Sequence, residues 1–100
     1  MTEQQVHAEH PDSSKKGVNI SRRKYLQVRE AIVQSLREEG QMTFTELGDS
    51  VNTRLNGNFE GAVGWYYTTV KRDLEARGIL ERVSKGTPQR LRLVEKTIRD

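Results

Sequence analysis

The spacing of apolar residues changes once in this chain, at Gly78, and that change dictates the order of its elements. Before Gly78 apolar side chains recur every three or four residues; after it they alternate with polar ones. The first spacing is that of a helix with one buried face, the second that of a strand with one buried face. A chain of 100 residues written this way is at most one domain, in which helices are followed by a hairpin.

Three helices are predicted. Over 22–39, Tyr25, Val28, Ile32, Val33 and Leu36 make the apolar stripe, with Ser21 as N-cap and Gly40 in the left-handed C-cap position. A second helix starts near Thr43, whose capping-box pattern with Glu46 competes with Thr45 as cap. Leu47, Val51 and Leu55 stack on one face of it, and Asn56-Gly57-Asn58 ends it. The third helix is expected over 60–77, on the stripe Val63, Tyr66, Tyr67, Val70 and Leu74, with Gly78 as C-cap. Gly61 and Gly64 weaken its first turns by roughly 1 kcal/mol each relative to alanine, so packing must hold that end. Residues 79–84 and 89–94 then read as two strands flanking Lys85-Gly86-Thr87-Pro88, with Leu91 and Leu93 on one face and Arg90 and Arg92 on the other. Residues 96–100 read as a frayed end.

Residues 1–21 hold few apolar side chains, Met1, Val6, Ala8, Val18 and Ile20, spaced by Pro11, Ser13, Ser14 and Gly17. That is too little burial to offset ordering entropy, and the stretch is read as a disordered tail. His7 and His10 lie three apart but have no third ligand in a folded frame around them, so no metal is expected.

Composition narrows the function classes. Hydrophobic residues are 33% of the chain and glycine adds only eight, so the apolar share stays under the roughly 45–50% of an average soluble domain and the core must be small. There is no cysteine, which removes disulfides, thiolate metal sites and a cysteine nucleophile. No run approaches the roughly 18 apolar residues of a membrane span, and the first residues lack the apolar stretch of a secretory signal, so a cytoplasmic location is expected. Both histidines lie in the tail, leaving Ser35, Ser50 and Ser84 without a base; no phosphate loop with its lysine is present. Neither enzymatic activity nor a cofactor is expected.

The order helix, short strand, helix, turn, helix, hairpin resembles the winged helix-turn-helix domain over roughly 22–95. Thr43-Phe44-Thr45-Glu46-Leu47 is similar to the start of the motif's first helix. Leu74-Glu75-Ala76-Arg77-Gly78-Ile79-Leu80-Glu81-Arg82-Val83 is similar to its third helix passing through a charged turn and a glycine into an apolar strand. Within that class the chain is most similar to small bacterial winged-helix proteins without an assigned function. The resemblance implies an α+β, mainly α, fold with a C-terminal hairpin wing, and a small transcriptional regulator that contacts duplex DNA through its third helix and its wing.

The residues themselves fit that expectation. At 100° per residue, Trp65 and Arg72 fall opposite the apolar stripe of the third helix, with Thr68 and Thr69 flanking them and Lys71 to one side. Arg72 can grip a guanine edge or a phosphate, and the threonines a phosphate or a thymine methyl. Arg82, Lys85, Arg90 and Arg92 make the hairpin basic, with no acidic residue among 82–92; an ordinary edge hairpin carries such charges too. Lys15, Lys16, Arg22, Arg23 and Lys24 form a second basic segment, read either as an arm tracking phosphates or as a solvated helix start. The net charge of +3 thus conceals two basic stretches.

Two other readings stay in view. Trp65 also reads as a cover over the core edge, beside the tail or a dimer partner, while a protein-interaction winged helix would use Trp65 and the glycine-rich helix start to dock a protein partner. Apolar surface left over on the first helix, where Leu26 and Ile32 leave a single line, would suit a homodimer. Gly61-Ala62-Val63-Gly64 matches an RNA-clamping GXXG loop in letters, but it opens a helical stripe where that clamp needs a loop.

Overall fold

The computed structural model describes residues 4–12, 14–83 and 89–94. Over these the chain is an α+β fold of three helices and two small antiparallel sheets. Strands β1 (Gln5–Ala8) and β2 (Val18–Ser21) precede α1 (Arg22–Glu39). Strand β3 (Gln41–Thr43) leads directly into α2 (Phe44–Leu55), and α3 (Val63–Ala76) is followed by β4 (Leu80–Val83) and β5 (Arg90–Leu93).

The helix ends follow local chemistry. Ser21 Oγ accepts from the Lys24 N–H, and Gly40, at φ 84°, closes α1 by donating to the Leu36 carbonyl. At α2 the competition between caps is settled for Thr43: its hydroxyl accepts from the Glu46 N–H while the Glu46 carboxylate accepts from the Thr43 N–H. That hydrogen bonding holds the Glu46 carboxyl below its usual range. Helix α3 is shorter than expected. It starts at Val63 rather than 60, because Gly61 sits at φ 129° and Ala62 offers no side-chain cap. Its first turn is held by packing instead, through Phe59 and Tyr66, whose rings meet edge to face at 5.1 Å.

The two strands expected after Gly78 are present, and 84–88 between them lie outside the described residues. Strand β5 is central, pairing with β4 on one side and β3 on the other, so that Met42 lies opposite Leu91 and Leu80 opposite Leu93. The sheet is thereby tied to both ends of the helical layer. Val28, Ile32, Leu36, Leu47, Val51, Val70 and Leu74 are the buried centre. On α1 the buried face is rotated from the predicted stripe: Val33 is half-buried, while Ala31 and Ser35 lie inside. The Ser35 hydroxyl faces that of Ser50 at 2.6 Å and accepts from Arg54 Nε, whose Nη2 reaches Glu38, which fastens α1 to α2.

The first 21 residues differ most from expectation. Where the sequence suggests a disordered tail, β1 and β2 pair antiparallel, Val6 against Ile20 and Ala8 against Val18. Ala8 and Ile20 are buried in the common core. Counting apolar residues within the segment misses this, because Ala8 and Ile20 join a core whose other walls come from α1 and α3. No helix among the described residues is long and apolar enough to cross a membrane.

Candidate nucleic-acid interface

Helix α3 presents one face to the core and one outward. Tyr67, Val70 and Leu74 are buried, and Trp65 and Arg72 are exposed, as their helical phase requires. Trp65 keeps 49% of its surface accessible. Its indole rests edge-on against the Tyr66 ring, 4.9 Å between centroids, and Lys24 Nζ from α1 lies 5.4 Å from the centroid of the same ring. Trp65, Tyr66 and Phe59 therefore make a continuous aromatic cluster edged by a cation. Thr68 and Thr69 are half-buried beside it, and Arg72 has no ion-pair partner among the described residues.

The buried arc extends further than the apolar stripe predicted, and it takes in two charged residues. Lys71, placed on the flank of the reading face by its spacing, is instead 6% exposed. Its ammonium donates to Glu75 Oε1 at 2.7 Å and lies 5.5 Å from the Phe44 ring centroid. It is thus withdrawn from the outward face, because a four-carbon stem one turn before a glutamate can fold along the helix to meet it. Burial alone pushes the Glu75 carboxyl up, but the hydrogen bonds from Lys71 and Arg82 outweigh it and hold it below the usual carboxylate range.

Asp73, which the spacing did not single out, is fully buried. Its carboxylate accepts from Tyr25 Oη of α1, from the Glu9 backbone N–H at 2.8 Å, and from Arg77 Nε at 2.8 and 2.9 Å. Arg77 Nη2 in turn donates to the His7 carbonyl at 3.1 Å. These bonds moor the β1–β2 pair beside the end of α3. The Asp73 hydrogen bond raises the Arg77 pKa, and burial followed by the bond to Asp73 pushes the Tyr25 hydroxyl up to about 12.

The arginines of the paired strands β4 and β5 are locally balanced. Arg82 Nε donates to Glu75 Oε2 at 2.9 Å, Arg92 Nε to Glu81 Oε2 at 2.6 Å, and Arg90 lies 3.9 Å from Glu46. The three carboxylates come from outside the acid-free stretch 82–92, so reading that stretch by itself overstated the charge. The Glu81–Arg92 pair follows from register, since the two residues face each other across β4 and β5. Lys85 lies outside the described residues. On α1, Arg22 and Arg23 are exposed and Lys24 is half-buried against Tyr66. Trp65, Lys24 and Arg72 are thus set around the outward side of α3, whereas Arg82, Arg90 and Arg92 are held by carboxylates along the sheet. Leu26 is exposed and Ile32 is buried, so of the two residues that suggested a dimer face only Leu26 remains accessible. Among the described residues no group of three or more histidine, aspartate or glutamate side chains is placed to hold a metal.

A family model described as "Family of unknown function (DUF6958)" matches residues 5–91, and the chain belongs to that family. The match begins at β1, so the strand pair lies within the family's span. Searches of curated proteins and of solved structures found no match.

Proposed function

We propose that this chain is a winged-helix protein that binds duplex DNA as a small transcriptional regulator, with α3 entering the major groove. The observation that carries the reading is the outward face of α3, where a half-exposed tryptophan, two threonines and an Arg72 without an ion-pair partner among the described residues share one side of a helix. Such a face offers guanidinium and hydroxyl groups to base edges and phosphates. The sheet order β3-β5-β4, with a hairpin directly after α3, supports a winged arrangement. Arg22, Arg23 and Lys24 at the start of α1 supply further phosphate contacts, while Arg82, Arg90 and Arg92 contribute by exchanging carboxylate partners for phosphates.

Titration of a fluorescent mixed-sequence duplex at low salt, followed by anisotropy, tests the reading. Arg72→Ala is expected to weaken binding by about 1–3 kcal/mol, and the wild-type affinity to fall with salt at a log-log slope of about −0.9 per neutralised phosphate. Unchanged binding in both Arg72→Ala and Arg90→Ala would sink it.

A second reading rests on the aromatic cluster. Trp65, Tyr66 and Phe59 together form the kind of rigid, partly exposed surface that anchors protein interfaces. In that case Trp65→Ala abolishes a co-purifying partner while DNA titrations stay flat.

A further inference from the structure

Between the first turn of α2 and the β3–β5–β4 sheet lies an open cleft of about 520 Å³, a size within the range of small-molecule sites. Its two kinds of lining differ in chemistry. The Phe44 ring, exposed although it is a large apolar group, and the buried Leu91 supply an apolar surface. Lys71 and Arg82 supply two cations, and Thr45 a hydroxyl. The acid between the two cations is Glu75, and both of its oxygens are occupied, Oε1 by Lys71 and Oε2 by Arg82 Nε. Among the described lining residues one positive charge is left over. Among the described residues, one of the three N–H groups of the buried Lys71 ammonium is used on a hydrogen bond, and the Arg82 guanidinium engages Glu75 through Nε without using its two terminal nitrogens.

A buried lysine with donors in reserve is costly unless something accepts from them. We infer that this cleft is a binding site for a small organic monoanion, whose carboxylate meets Lys71 and Arg82 and whose apolar or aromatic body lies on Phe44 and Leu91. The single surplus charge of the described lining suits a monoanion, and the exposed Phe44 ring suits a planar body. A carboxylate suits Arg82 because its terminal nitrogens present a fork that matches two oxygens. The inference does not depend on DNA binding through the outward face of α3, since it concerns the sheet side of that helix; Arg82 alone is shared with the proposed phosphate contacts.

The test is titration of the full, isotopically labelled chain with benzoate, and separately with benzyl alcohol as its neutral counterpart, followed by amide and Arg82 Nε–H chemical shifts. Benzoate is expected to give saturable shifts at Thr45, Leu91 and Arg82, with a dissociation constant of about 1 mM or tighter, and benzyl alcohol to bind at least about tenfold more weakly. Arg82→Gln is expected to reduce benzoate affinity by about tenfold without changing that of the alcohol. Phe44→Ala is expected to weaken both, and unchanged shifts in the remaining core amides establish that either variant is folded. Absence of saturable shifts at these residues by about 20 mM benzoate, equal binding of alcohol and carboxylate, or an Arg82→Gln variant that binds benzoate like wild type each overturns the inference.

Discussion

The Tyr25 hydroxyl of α1 donates to the buried carboxylate of Asp73 on α3, 48 residues further along the chain. Around this one bond the molecule is organised, because the remaining acceptor capacity of Asp73 holds the Glu9 N–H of the N-terminal strand pair and the guanidinium of Arg77. A buried carboxylate is tolerable only with donors of this kind on every side. Removing the charge while keeping the shape is therefore informative. Asp73→Asn is expected to lower stability to urea by about 2–3 kcal/mol, with lost hydrogen-exchange protection in 5–8 and 18–21 as the local signature.

The burial of Tyr25, reinforced by the same bond, sets an alkaline limit. The ordinary tyrosine value is 10.0, and in the folded chain Tyr25 is pushed up to about 12. A group whose folded pKa is raised contributes stability that is complete below its unfolded value and is lost as pH rises through the folded one. The window is thus pH 10 to 12. Tyr67, buried with its hydroxyl donating to the Phe44 carbonyl, is shifted the same way and adds to the slope. Urea midpoints are expected to decline steeply across that window in wild type and less steeply in Tyr25→Phe, which has no Tyr25 proton to lose.

Deleting residues 1–12 distinguishes an integrated strand from a loose tail. The deletion removes the buried Ala8, the ladder to β2, the Glu9 bond to Asp73 and the Gln4 carbonyl that accepts from the Arg22 N–H. A loss of about 2–4 kcal/mol in chemical denaturation is expected. A truncated chain as stable as the full one would mean that β1 contributes nothing to the fold.

Gly61 governs the aromatic cluster. Its φ of 129° is available to glycine and strained for any other residue, and a Cβ there would stand 3.0 Å from Tyr66 Cε2 and 3.4 Å from Phe59 Cε2. Gly61→Ala is expected to cost about 1–3 kcal/mol and to shift the Trp65 emission, because the rings must move apart. Gly64→Ala meets no atom within 4 Å and is expected to stabilise α3 by up to about 1 kcal/mol, measured as a rise in Tm.

What could be read from the sequence was local. The extent of α1, its two caps, the Thr43–Glu46 capping box and the alternation of Leu91 and Leu93 all follow from neighbours within four residues. The remainder depends on contacts between distant segments. Ala8 and Ile20 look too sparse to order a strand until α1 and α3 supply the other wall. Lys71 reads as a charge on the flank of the outward face and nothing in the spacing marks Asp73, and only Tyr25, Glu9, Arg77 and Glu75 make burying them tolerable. The three arginines of the hairpin had the same ambiguity, since their carboxylates lie on α2, α3 and the facing strand. Within the candidate interface, the exposure of Trp65 and Arg72 was legible from helical phase, while the withdrawal of Lys71 was not.

Trp65 is the chain's sole tryptophan and stands on the face assigned to DNA, so its emission reports on that face without a label. Titrating the protein with unlabelled mixed-sequence duplex at low salt is the most direct measurement. If α3 enters the groove, Trp65 fluorescence is quenched or shifted in a saturable manner, the change is reversed by added salt, and it is weakened in Arg72→Ala. Emission that stays constant while duplex is added to excess would contradict DNA binding through α3.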